Sequence, residues 1–265
     1  MPTKAKYATA ERNEKISLLV FHCFALSTKQ MTSVLQKTGT SVHYIIQRNG
    51  KILNLVDENM VAFHAGLSSW REFETGINAK SVGIELQNSA MGNKPYTKAQ
   101  IKSLIELSKQ IINRHKIKNS NIVGHSDIAP FRKPDPSKFF PWEDLAKNGI
   151  GIWPEIKKIP ESFDSLPKKD VEKMLQKIGY NTIDLTSALY AFATRFMPHK
   201  VSVNANIIKK EAEIFAYWQK IKSSDIAQNL TNAPKIYPQS AENLFKDREL
   251  IARLREVSEA YERKN

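Results

Sequence analysis

Ile16-Ser17-Leu18-Leu19-Val20-Phe21-His22-Cys23-Phe24-Ala25-Leu26 is the stretch on which the fold of this 265-residue chain turns. It has the length and apolar character of a secretory signal-peptide core. Its context argues otherwise. It starts late, carries a histidine in its middle, and is followed by Thr28-Lys29-Gln30 rather than by a small-residue cleavage site. Phe21 and His22, just before Cys23, are too bulky and too polar for a lipoprotein processing site. The stretch therefore reads as a buried strand, with His22 at its end.

Working outward, a helix is expected from about residue 28 to 37. Residues 42–47 and 52–56 are β-rich and flank Arg48-Asn49-Gly50-Lys51, whose Asn-Gly pair is a strong hairpin signal. Residues 59–80 read as a long loop and residues 82–87 as another strand. Ile101, Leu104, Ile105, Leu107, Ile111 and Ile112 recur at helical spacing, so residues 97–115 predict a helix with Thr97 as its N-cap. Residues 122–124 form a short strand end. Pro130, Pro134, Pro136 and Pro141 make residues 126–142 a pinned loop. This order predicts an α/β fold, a mixed β-sheet flanked by helices. Pro154, Pro160 and Pro167 mark a linker. Helices near 168–178, 184–196 and 204–221 then predict a small all-α domain of three helices. Leu244, Leu250, Ile251, Leu254, Val257 and Tyr261 form the apolar stripe of a last helix, docked on its own protein or offered to a partner. The expected units are 1–160, 161–225 and 226–265.

Lys and Arg number 40 against 27 Asp and Glu, a net charge of +13 that calls for anionic partners: nucleic acid, lipid head groups or an acidic polymer. Residues 1–160 hold most of it, with 23 basic and 13 acidic side chains, a net of +10. The one cysteine, Cys23, excludes a disulfide scaffold and a Cys-rich zinc finger. No apolar run of about 18 residues is present, so no transmembrane helix is expected. With no export signal seen, the cytoplasm is the expected compartment, with periplasm or cell envelope as the alternative.

His22, His125 and Asp135 stand out as ligands. Two imidazoles and a carboxylate suit a tetrahedral zinc with one open position. Taken singly, each also fits a structural role. The proline-pinned loop strengthens the reading because it would hold Asp135 in place. Glu85 sits among aliphatics in Val82-Gly83-Ile84-Glu85-Leu86, and Lys133 stands two residues before Asp135. Each alone fits a surface charge as well.

Five segments carry a resemblance: Phe21-His22, Ser41-Val42-His43-Tyr44-Ile45-Ile46, Ala62-Phe63-His64-Ala65-Gly66, Ser81-Val82-Gly83-Ile84-Glu85-Leu86, and Gly124-His125-Ser126-Asp127-Ile128-Ala129-Pro130-Phe131-Arg132-Lys133-Pro134-Asp135-Pro136. In this order and spacing, residues 15–155 resemble the N-acetylmuramoyl-L-alanine amidases of the AmpD/AmiD type, which share their fold with peptidoglycan recognition proteins. Phe140-Pro141-Trp142 and Gly149-Ile150-Gly151-Ile152-Trp153-Pro154 lean towards the AmiD branch, and the helical part resembles its small peptidoglycan-binding domain. The resemblance implies a Zn2+ ion on His22, His125 and Asp135, Glu85 handling the water proton and Lys133 stabilising the oxyanion. It implies peptidoglycan or a muropeptide as substrate, and the basic charge then reads as steering towards an acidic wall polymer rather than nucleic acid. Related phage amidases carry a tyrosine where Val42 stands, so here proton transfer falls on Glu85. His64, Trp70, Arg71 and Asn78 are expected to line the substrate groove, His43 to be a core residue, and His115 to answer a helix dipole. The rival of the same fold is a binding protein without catalysis, but such proteins lose metal ligands that this chain retains. The oligomeric state is left open.

Overall fold

The structure is a computed structural model that describes residues 7–155, 159, 166–202, 206–222 and 225–263. Among these residues seven strands occur: β1 (Thr9–Glu11), β2 (Leu18–Phe24), β3 (Tyr44–Ile46), β4 (Ile52–Asn54), β5 (Met60–Ala62), β6 (Ser81–Gln87) and β7 (Ile122–Gly124). Five of them form the main sheet in the order β4-β3-β6-β2-β7. All neighbours run parallel except the β3–β4 hairpin. The segment at residues 18–24 is thus a central strand, buried at every position. That explains its unbroken apolar run, because parallel strands are covered on both faces.

The two faces of β2 feed different cores. Leu19, Phe21 and Cys23 pack with Leu104, Leu107 and Ile111 of a long helix and with Phe140 and Trp142. Leu18 and Val20 face the opposite way, towards Val171, Leu175, Phe192, Leu254 and Tyr261 from the C-terminal helices. The helices up to residue 147 are α1 (Thr28–Thr38), α2 (Ile77–Lys80), α3 (Lys98–His115), α4 (His125–Ile128) and α5 (Trp142–Lys147). α3 starts at Thr97 as expected, with Thr97 and Gln100 closing a reciprocal cap.

The segment 59–80 is not all loop. β5 pairs with β1, and α2 makes a turn before β6. Both features escape periodicity because each is only three or four residues long, and the partner strand lies some fifty residues upstream. His43 is buried in the core and its Nδ1 accepts the Gly83 N–H at 3.0 Å. His115 does more than face a helix terminus: it meets Glu58, which also accepts from the Tyr44 hydroxyl at 2.6 Å and from Arg114 at 2.9 and 2.8 Å. Burial works to raise the Glu58 carboxyl, but these donors outweigh it and hold it down at about 2.

Beyond the linker, whose residues 156–158 and 160–165 lie outside the described ones, come α6 (Lys168–Ile178), α7 (Leu185–Phe196), α8 (Ile207–Trp218), α9 (Ile226–Asn229) and α10 (Arg248–Arg263). α6 and α7 pack with α10 in the same core as Leu18, Val20 and Val123 of the sheet. α8, expected as the third helix of that bundle, packs elsewhere: Ile214 and Trp218 bury against Phe131. An amphipathic stripe states that a helix docks, not on what, and the place of α8 in the bundle falls to α10.

Candidate metal centre and cleft

His22 on β2 pairs in register with Glu85 on β6, and Phe21 pairs with Gly124 on β7. His125 follows at once. The site therefore forms at the carboxyl ends of three adjacent parallel strands, where open α/β sheets bind ligands. Asp135 returns to it from the far end of the proline loop, and Ser126 N–H donates to the Asp135 carbonyl at 2.8 Å to tie the loop ends together. Gly124 lets the loop close: a Cβ there would sit 2.6 Å from Pro136 Cδ.

The proton positions follow from a chain of partners. The Ser81 hydroxyl donates to the Ile77 carbonyl at 2.6 Å, so its oxygen accepts from His64 Nε2–H at 3.2 Å. His64 Nδ1 then accepts from His22 Nε2–H at 3.0 Å. On the other imidazole, His125 Nε2–H donates to the Ala65 carbonyl at 3.1 Å. Each ring is left with a bare lone pair on Nδ1. These two Nδ1 atoms lie 2.9 Å apart, and Asp135 Oδ2 lies 3.1 Å from His125 and 3.4 Å from His22. Burial keeps both imidazoles neutral: it lowers His22 and brings His125 down to about 3. Asp135 is buried beside both rings. Its Oδ1 is buried with no partner.

Three acceptors facing one another at these distances repel unless they share a cation. Zinc bonds of about 2.0–2.1 Å in tetrahedral array put ligand atoms about 3.3–3.4 Å apart, close to the observed triangle. The distal N–H of each ring is held by a neighbour, as metal-binding histidines require. His22, His125 and Asp135 are nearly sealed, at 1%, 5% and 3% exposure, which leaves the open side towards the cleft. The residues fit a zinc ion.

That cleft, about 590 Å³, has Glu85, Lys133, His64 and Asn78 on one wall and Glu211 and Phe215 of α8 on the other. Glu85 Oε2 is buried without a partner. Burial, and then the nearby charge of Asp135, push its carboxyl well above the usual range. Lys133 Nζ donates to Glu211 Oε1 at 2.5 Å.

Of the four residues expected along a substrate groove, two are there in other roles. His64 orients His22, its ring lying where a Cβ on Gly83 would come within 2.7 Å. Asn78 Oδ1 accepts the His64 and Ala65 N–H groups at 3.0 and 2.7 Å and so shapes the loop. The other two are elsewhere. Trp70 is fully buried against Tyr180 and Tyr261, its indole N–H on the Ser120 carbonyl. Arg71 bonds the Ile178 carbonyl and lies over the Tyr261 ring. Helices more than a hundred residues downstream cover both, which no local pattern announces. Asp127 likewise carries no local sign of its role beyond its position inside the loop motif. It accepts from Gly124 N–H at 2.8 Å, Tyr180 OH at 2.6 Å and Arg195 at 2.6 Å. It thereby braces the helical turn that carries His125.

Residues 12–138 match the family N-acetylmuramoyl-L-alanine amidase. The 1,6-anhydro-N-acetylmuramyl-L-alanine amidase AmpD of Haemophilus influenzae is 36% identical over 49% of this chain and 80% of its own length. This chain belongs to the N-acetylmuramoyl-L-alanine amidase family. Escherichia coli AmiD is more similar in sequence, 42% identical over 55% of the chain, although the match spans only 57% of AmiD. The solved structure of E. coli AmiD with anhydro-N-acetylmuramic acid-L-Ala-D-gamma-Glu-L-Lys superposes with a TM-score of 0.65 at 32% identity, over 77% of this chain and 86% of that one. AmpDh3 of Pseudomonas aeruginosa also gives 0.65, at 29% identity over 77% and 89%. The amidase-family match ends before α8, so the helix opposite Lys133 lies outside it. None of the described helices is long and apolar enough to cross a membrane.

Proposed function

We propose that this protein is a zinc-dependent N-acetylmuramoyl-L-alanine amidase. It hydrolyses the amide between the lactyl group of N-acetylmuramic or anhydro-N-acetylmuramic acid and L-Ala of the stem peptide. The observation that carries the reading is the convergence of two imidazole Nδ1 atoms and a buried, part-orphaned carboxylate at the floor of a cleft. The E. coli AmiD complex with an anhydro-muramyl peptide supports the substrate class. We assign the reaction to residues 1–160.

His22, His125 and Asp135 would hold the ion, and a zinc bound there supplies Lewis acidity that can bring the pKa of water down to about 7 and polarise a carbonyl. Glu85 accepts the proton of the attacking water and returns it to the departing nitrogen of L-Ala. Its unpartnered Oε2 suits it to carry that proton between the two steps. Lys133 donates to the carbonyl oxygen as negative charge grows on it. Val42 carries no ionisable group, so proton transfer does not run through that position.

Purified protein is expected to contain about one zinc per chain and to release the stem peptide from an anhydro-muropeptide, followed by chromatography and mass spectrometry. Full hydrolysis after exhaustive chelation, or no hydrolysis by the zinc-loaded protein, would overturn the reading.

A further inference from the structure

The ammonium of Lys133 is held by a helix outside the matched family region. Glu211 Oε1 lies 2.5 Å from Nζ, and the Phe215 ring, one turn further along α8, has its centroid 5.3 Å away. The pair is sheltered, with Lys133 at 13% and Glu211 at 18% side-chain exposure. α8 is anchored on the same loop that carries Lys133: Trp218 packs edge-on to Phe131, with ring centroids 5.1 Å apart. A lysine reaches its task on a flexible four-carbon stem, whereas a donor to a developing oxyanion is effective only if fixed in place beforehand. A charge-assisted bond in a sheltered cleft supplies that fixation. It uses one of the three ammonium N–H groups and leaves two for a substrate oxygen.

We propose that Glu211 is a positioning residue for Lys133, making α8 a working wall of the amidase cleft rather than part of a separate helical module. The proposal rests on the amidase reading above.

The test uses the full-length, zinc-loaded protein and separates kcat from KM on an anhydro-muropeptide for wild type, Glu211→Gln, Glu211→Ala, Lys133→Ala and the double variant Lys133→Ala/Glu211→Ala. Lys133→Ala is expected to lower kcat by about 10²–10³, as for loss of an oxyanion donor. Glu211→Ala is expected to lower kcat roughly ten- to a hundredfold, the range of a hydrogen bond to a charged group, with KM within about threefold of wild type. Glu211→Gln, isosteric and still an acceptor, should fall between and decides the matter if the alanine variant does not fold. The double variant should be no slower than Lys133→Ala alone. A Glu211→Gln protein as fast as wild type or faster, or losses that multiply in the double variant, overturns the proposal while wild-type turnover keeps the amidase reading intact. A zinc-loaded wild type that releases no peptide overturns both.

Discussion

Asp127 and Asp135 are eight residues apart in one loop, and both are buried, yet they are built for opposite purposes. Every oxygen of Asp127 meets a donor: Gly124 N–H, the Tyr180 hydroxyl and the Arg195 guanidinium. Asp135 meets lone pairs on one oxygen and nothing on the other. A satisfied buried carboxylate braces a structure, whereas an unsatisfied one surrounded by acceptors is incomplete without a cation. The pair separates scaffold from chemistry within a dozen residues.

The contrast can be broken most sharply at Asp135. Asp135→Ala is expected to lose zinc and all measurable turnover while remaining folded; metal analysis beside circular dichroism checks this, and zinc retained at wild-type stoichiometry would erase the distinction. Glu85→Ala comes next: zinc stays, and turnover falls by about 10²–10⁴, the reach of general acid–base catalysis. Asp127→Ala should do the reverse. It leaves Arg195 buried without its counter-charge and should cost roughly 3–5 kcal/mol in denaturant unfolding, yet the folded protein should still bind one zinc. Glu58 gives the smallest effect and extends the contrast to a braced carboxylate near the surface. Its folded pKa of about 2 lies below the ordinary 4.5, so its contribution is complete above about pH 4.5 and drains away as pH falls towards 2. Glu58→Gln should flatten that part of the stability–pH curve, while leaving zinc content unchanged.

Much of the N-terminal half was legible because its signals are local. The Asn-Gly hairpin, the capped helix at 98–115 and the unbroken apolar run of β2 each announce themselves within a few residues. His22, His125 and Asp135 could be singled out as candidate ligands from residue type and loop chemistry. What stayed hidden depends on distant partners. Trp70 and Arg71 are apt groove residues by type, but Tyr180, Ile178 and Tyr261 claim them. Glu211 reads as one charge on a solvated helix face until the fold sets it against Lys133. The serine–histidine chain that orients His22 joins residues 22, 64 and 81, a relation of space and not of spacing.

The alternation of β2 has a last consequence. Its even-numbered residues Leu18 and Val20 share one face with His22, and its odd-numbered residues Leu19, Phe21 and Cys23 fill the opposite core. A slip of one residue against β6 or β7 would turn His22 into the aromatic layer of Phe140 and Trp142 and present a neighbour of the wrong chemistry to the ligand loop. Only one pairing satisfies both cores and brings the three ligand atoms together. An ion that binds them favours that pairing over every shifted one, so the metal would act as a proofreader of the fold as well as a reagent.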